Sequence, residues 1–287
     1  MPSYPETLFE KGKPHFICDI PPIYAILLHS RNINLPDSQI FLRISNLKIL
    51  YIWMNISKPF NMKKLVYLVL ALSISVNVLA QRANTKKLEK FTEVKAYDRI
   101  VVDLVKSNEN KLVITGDDQD EVDISNKNGL LKIKMEFDNF MDGGEAKATL
   151  YYTETLVLLD ANENAKITSD ETLTGNRVEI KTQEGGHIDL KIDVADLYTK
   201  SVSGGEVSLT GQAKTQEVMV NTGGQVYNKA LDTDETIVTV NAGGRADVKA
   251  SEKVQAKVRA GGSIYIYGNP KDVERNKVFG GKIKVMD

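Results

Sequence analysis

The stretch Ser203-Gly-Gly-Glu-Val-Ser-Leu-Thr-Gly-Gln-Ala-Lys-Thr-Gln-Glu-Val-Met-Val-Asn-Thr-Gly-Gly-Gln-Val226 holds one complete repeat. It opens on Gly204-Gly205, and the next pair, Gly223-Gly224, opens its successor. Between the pairs lie two alternating runs, Val207 with Leu209 and then Val218 with Val220, separated by polar residues. Alternation with a period of two marks a strand with one buried face. Each repeat therefore reads strand, turn, strand, turn, and is too short for the crossover helix that joins parallel strands in βαβ units.

The same unit recurs on both sides. Further pairs stand at Gly185-Gly186, Gly243-Gly244, Gly261-Gly262 and Gly280-Gly281, so the intervals are 19, 19, 20, 18 and 19 residues. After the pairs come Ile188 and Leu190, Val226 and Asn228, Ala246 and Val248, Ile264 and Ile266, Ile283 and Val285. One repeat cannot bury its apolar face alone, but stacked repeats pair each strand with its equivalent in the next rung. The expectation is an all-β parallel β-helix with rungs of about 19 residues that advance ~4.8 Å each. Glycine at each corner supplies a positive φ or a close backbone approach. The preceding residue is often small (Ser203, Thr222, Ala242, Ala260), as a crowded corner would favour. Asn164-Ala165 fits the corner of an earlier rung.

Residues 81–287 form a single domain on this reading, with 91–160 as N-terminal strands and cap and 161–287 as regular rungs. The stretches Tyr97 to Val105, Leu112 to Thr115, Val122 to Ser125, Leu130 to Met135 and Thr149 to Leu159 read as strands. A stack of repeats has open ends, and an uncapped last rung ending at Asp287 predicts end-to-end pairing into a homo-oligomer.

Ahead of the domain the composition changes. Seven of the eight prolines, the only cysteine (Cys18) and the only tryptophan (Trp53) precede residue 60, whereas 19 of the 20 glycines follow Arg82. The join reads as a signal peptide over 62–80: Met62-Lys63-Lys64, an apolar run from Leu65, then Val78-Leu79-Ala80 at the cleavage position. Residues 1–61 read as an over-called gene start or an unstructured leader. Gln81 at the mature end excludes a lipoprotein, and the apolar run is too short for a comfortable membrane span. The protein is thus expected in the periplasm, on the outer-membrane surface or outside the cell.

From Arg82 on there are 29 Lys+Arg against 34 Asp+Glu, well interspersed, which disfavours nucleic acid as a partner. Without cysteine the mature part has no disulfide, thiolate metal site or thiol nucleophile. Gly-Gly-His-Ile-Asp189 and Gly-Gly-Arg-Ala-Asp247 each lack the third glycine of the calcium nonapeptide, and the repeat is about twice too long. His187 is the one mature histidine and reads as surface. No cofactor, metal or catalytic residue is expected. Asp189, Ser208, Tyr227, Asp247 and Tyr265 share one offset after successive pairs and should stack along one outward face. Tyr227, Tyr265, Tyr267 and Asp247 are the candidate ligand-binding residues, since exposed aromatics stack on sugar rings or anchor a protein partner. Lys282 and Lys284 read as solvated surface.

From Phe91 to Val285 the chain resembles the GIN-domain family, the putative auto-transporter adhesin head. The resemblance is carried by Phe91-Thr-Glu-Val-Lys-Ala-Tyr-Asp-Arg-Ile-Val-Val-Asp-Leu104, Asn110-Lys-Leu-Val-Ile-Thr-Gly116, Tyr265-Ile-Tyr-Gly-Asn-Pro270 and Gly280-Gly-Lys-Ile283. The corner departs mildly, with Gly-Gly where many members carry Gly-Ala-Ser or a similar trio. The resemblance implies a right-handed parallel β-helix in an exported protein of Gram-negative bacteria, and brings no catalytic residues. The resulting expectation is a non-enzymatic envelope or surface module that binds an envelope or extracellular polysaccharide or a surface protein. A structural scaffold without a ligand and a carbohydrate-active β-helix enzyme are the competing readings.

Overall fold

A computed structural model describes residues 83–116, 119–136 and 146–286, all within the unit Ala80–Asp287. The leader, the signal peptide and Asp287 lie outside the described residues. Seventeen strands join in one hydrogen-bonded sheet, and among the described residues the only helical element is a 3-10 turn at Gln119–Glu121.

The N-terminal strands are β1 (Asn84–Lys87), β2 (Glu93–Ala96), β3 (Val101–Lys106), β4 (Lys111–Thr115), β5 (Val122–Lys127), β6 (Leu130–Met135), β7 (Lys147–Tyr152) and β8 (Leu158–Ala161). They mix two patterns. β4 runs antiparallel to β1 and β7, and β5 to β6. β2 and β3 already run parallel, to β8 and to β7 respectively. The strand expected over Tyr97 to Val105 begins only at Val101, because Asp98 (φ 58°) and Arg99 (φ 63°) turn the chain first. This is a corner without glycine, tolerated because Asp enters the left-handed region more readily than most residues. The run Thr149 to Leu159 is likewise broken after Tyr152.

From there the solenoid is regular. β9 (Lys166–Thr182), β10 (His187–Ser201), β11 (Glu206–Asn221) and β12 (Gln225–Asn241) pair in parallel along almost their whole length. β13 (Arg245–Lys249), β14 (Lys253–Arg259), β15 (Ser263–Tyr267), β16 (Asp272–Val278) and β17 (Lys282–Val285) continue the same two faces. The fold is the expected parallel β-solenoid, of about seven turns. One detail differs. In β9 to β12 the second turn is a bend inside a continuous strand, with pairing through Ile192, Gly211 and Leu231. The 20-residue interval places its extra residue beside Asn228, where the register shifts between Ser208 and Thr210.

At the Gly223-Gly224 corner the two glycines do different work. Thr222 (φ 47°) and Gly223 (φ 75°) are consecutive left-handed residues, closed by the Gly224 N–H donating to the Asn221 carbonyl at 3.0 Å. That is a type I′ turn in its φ signature. A Cβ on Gly223 would have nothing within 4 Å, whereas one on Gly224 would lie 2.4 Å from the Ser201 carbonyl oxygen of the rung beneath. At this corner the first glycine serves conformation and the second serves stacking, while at Gly244, Gly262 and Gly281 the second glycine has positive φ as well. The residue before each pair also has positive φ, between 47° and 57° from Glu184 to Phe279. It is not crowded, as the sequence suggested: Phe279 occupies it and is 90% exposed. Asn164 (φ 61°) does fill this corner in the earlier rung, with Lys166 paired to His187.

The interior is a set of aliphatic columns. Ile167, Ile188, Val207, Val226, Ala246 and Ile264 stack in register, and all are buried. Asn228 interrupts the neighbouring column of Leu190, Leu209, Val248 and Ile266, fully buried. Its Nδ2 donates to Gln216 Oε1 (3.2 Å), and Gln216 Nε2 donates to Thr236 Oγ1 (2.9 Å). The Thr233 hydroxyl donates to the Lys249 carbonyl (2.6 Å). This polar knot satisfies the backbone where the rung geometry changes between β12 and β13, although Asn228 Oδ1 has no hydrogen-bond partner among the described residues.

Towards the C-terminus, among the described residues, β16 pairs only with β14, and β17 only with β15. Arg275 and Lys277 occupy the register of Ala256 and Val258, the inward phase of the rung beneath, and both are exposed. Charges in the inward phase of an edge strand are a known guard against edge-to-edge pairing. They weigh against the end-to-end homo-oligomer expected from the sequence.

Candidate functional site

The offset arithmetic holds in the structure. Tyr227 is paired in register with Asp247, Asp247 with Tyr265, and Tyr265 with Lys284. The same column continues backwards through Ser208 and Asp189. Tyr267 lies two residues beyond Tyr265 on the same face, in register with Lys249. β12, β13, β15 and β17 thus present these side chains from successive rungs, ~4.8 Å apart.

The centre of the patch is a residue the sequence reading did not single out. Arg245 leads β13, and its Nε and Nη2 donate to the two carboxylate oxygens of Asp247, each at 2.8 Å. Residues i and i+2 of a strand share a face, so this bidentate pair forms within one strand. The guanidinium lies over the rings of Tyr227 (5.5 Å to the centroid) and Tyr265 (4.8 Å), one from each adjacent rung. Lys282 Nζ stands 5.2 Å from the Tyr265 ring centroid. The Tyr227 hydroxyl donates to Gln225 Oε1. Hydrogen bonding to Asp247 raises the Arg245 pKa further above its ordinary value, so the group is a permanent cation.

Asp247 plays a different part from the one its outward offset suggests. It is only 2% exposed, and both its oxygens are engaged by Arg245. It holds Arg245 rather than meeting solvent. Arg245, Tyr265, Tyr267, Lys282 and Lys284 make the accessible surface. The signal was present in the sequence: Arg245 and Asp247 lie two apart just after a corner, with tyrosine at the Asp247 offset in both adjacent rungs.

Other titratable groups are arranged otherwise. His187 Nδ1 lies 3.5 Å from Glu206 Oε1 in the next rung. At the first corners Glu163 has its pKa raised to about 7, by a hydrogen bond with Asp98, by burial and by the charges of Asp98 and Glu184. A shallow cleft of about 570 Å³ at the opposite bend is lined by Asp193, Gln212, Asp232, Asp234 and Lys249 among others, with Lys249 Nζ 2.6 Å from Asp232 Oδ1. Among the described residues no group of three His, Cys, Asp or Glu side chains is placed to hold a metal ion, and no helix is long and apolar enough to cross a membrane.

The family described as "Putative auto-transporter adhesin, head GIN domain" matches residues 90–270. A crystal structure described as a "putative adhesin" from Bacteroides fragilis superposes with a TM-score of 0.65 at 21% identity, covering 72% of this chain and 98% of its own. A "putative adhesin" from Parabacteroides distasonis does so with 0.55 at 18% identity, over 71% and 96%. A "Putative lipid binding protein" from the same organism gives 0.54 at 16% identity, over 72% and 98%. At these identities the solved structures carry the fold alone. No curated protein matches the chain.

Proposed function

We propose, from the premise that this chain belongs to the GIN-domain family, that it is an exported, non-enzymatic surface module, adhesin-like, which holds a glycan or a surface protein on the outward face of its last rungs. The observation that carries this reading is the ladder Tyr227, Arg245, Tyr265, Lys282, in which aromatic and cationic groups alternate over successive rungs. Its backbone is fixed by strand pairing, so little order has to be acquired on binding. Tyr265 and Tyr267 supply area and hydroxyls, and Tyr and Arg are the residues most often dominant at binding surfaces. Asp247 supports the reading as the buried anchor of Arg245. Export is supported by the signal-peptide pattern at 62–80, and the non-enzymatic reading by the family's description as an adhesin head. Interior columns filled by Ile, Val and Leu side chains leave lipid no evident place inside the coil.

The test is a glycan-array and surface-protein screen of the chain, beside a Tyr227→Ala, Tyr265→Ala, Tyr267→Ala variant whose fold is checked by circular dichroism. Binding lost in the variant supports the reading and locates the surface. Equal binding by both chains moves the site elsewhere, and no binding by either favours a structural envelope scaffold.

A further inference from the structure

Resting on that reading, we infer that the ligand of the tyrosine face is an anionic polysaccharide, bearing carboxylate or sulfate groups, rather than a neutral one held by ring stacking. The sequence suggested flat tyrosine rings open to a sugar. In the structure Tyr265 lies beside cations of both adjacent rungs, Arg245 and Lys282, and Tyr227 lies beside Arg245. These contacts compete with a sugar for the ring faces. Beside these occupied rings the patch offers phenol hydroxyls and positive charge.

The charge balance of the patch is equally one-sided. Along the column of Arg245 the register runs to Ser263 and then Lys282, and along that of Asp247 to Tyr265 and then Lys284. Arg245 and Lys282 thus stand two rungs apart, roughly 9.6 Å between backbones. The single acid among these positions, Asp247, is buried and engaged by Arg245. Lys284 and Lys282 are exposed. The rest of the same face is mixed, with His187 beside Glu206 and Asp189 beside Ser208. A chain with 34 acids to 29 bases from Arg82 on has therefore sorted its cations locally around Tyr265. A linear polyanion laid across the last rungs meets the exposed Lys282 and Lys284 at one end, the Arg245 N–H groups not used on Asp247 at the other, and hydroxyl donors between.

The experiment measures binding of the full chain to heparin and to alginate, against dextran as a neutral polymer and a DNA oligomer of matched charge. A Lys282→Gln, Lys284→Gln variant is run in parallel. These lysines lie on the last rung, outside the buried core, so the fold should survive, and thermal melting verifies that. The expected result is binding to the anionic glycans, weakened about tenfold in the double variant and falling with added salt. Dextran bound as well as heparin, with no loss in the double variant, overturns the anionic assignment but leaves the binding reading standing. DNA bound as tightly as heparin overturns the glycan assignment. No binding to any polymer by the intact chain overturns the anionic-glycan assignment and leaves a surface protein as the ligand of the binding reading.

Discussion

Gly223 and Gly224 are adjacent in one corner, yet alanine at the two positions should have very different costs. At Gly224 the new Cβ would stand 2.4 Å from the Ser201 carbonyl oxygen, 2.6 Å from its carbon and 2.8 Å from its Oγ. Ordinary contact lies near ~3.5 Å, so the corner must lift by about 1 Å from the rung below. The lift strains the Gln225 N–H bonds to the Gly205 carbonyl (2.9 Å) and to the Ser201 hydroxyl (3.2 Å). At about 1 kcal/mol for each bond, with about 1–3 kcal/mol for overpacking, Gly224→Ala should cost about 3–5 kcal/mol. Gly223 has φ 75° and free space around its would-be Cβ. There alanine meets only the left-handed penalty of about 1–2 kcal/mol, partly offset by its lower freedom in the unfolded chain. A net cost of about 1 kcal/mol follows. For a domain of this size roughly 2–4 °C of Tm corresponds to each kcal/mol, so calorimetry should show losses of about 10 °C and about 3 °C. Equal losses, or a larger one for Gly223→Ala, would refute the division of labour between the two glycines.

Three further outcomes are expected. Gln216→Leu should destabilise by about 2–3 kcal/mol in denaturant melts by stranding Asn228 Nδ2, while Gln216→Leu with Asn228→Leu recovers most of that; strictly additive losses would dissolve the proposed network. The raised Glu163 pKa gives stability that is fully present below the usual carboxylate range and fades as pH rises through about 7, because the folded state then loses a proton it held more tightly than the unfolded chain. Glu163→Gln should therefore gain on the parent in Tm between pH 5 and pH 8, and a difference that stays flat with pH would rule out that role for the Asp98–Glu163 contact. Finally, Arg275→Ala with Lys277→Val should let copies associate through the β16 edge, seen as a rise in mass by light scattering; a parent chain that already associates by that edge would show that the two charges do not guard it.

The repeat was legible because its determinants are local. Strand alternation and paired glycines are written within a few residues, and intervals of 18 to 20 residues leave little freedom in how rungs stack. That spacing alone aligns Tyr227, Asp247 and Tyr265 in one column. What lies beside a side chain from the next rung was not legible. The sequence could not tell that Arg245 turns onto Tyr265 and buries Asp247, or that Lys282, read as plain surface, stands over an aromatic ring. Nor did it reveal the glycine-free corner at Asp98-Arg99, since only rung-to-rung pairing distinguishes a corner from a continuing strand. Conformation along a strand depends on residues one or two positions away. Lateral neighbours in a solenoid are about a rung apart in sequence but ~4.8 Å apart in space, so charge pairing, ring coverage and burial at the site were decided by the tertiary stack.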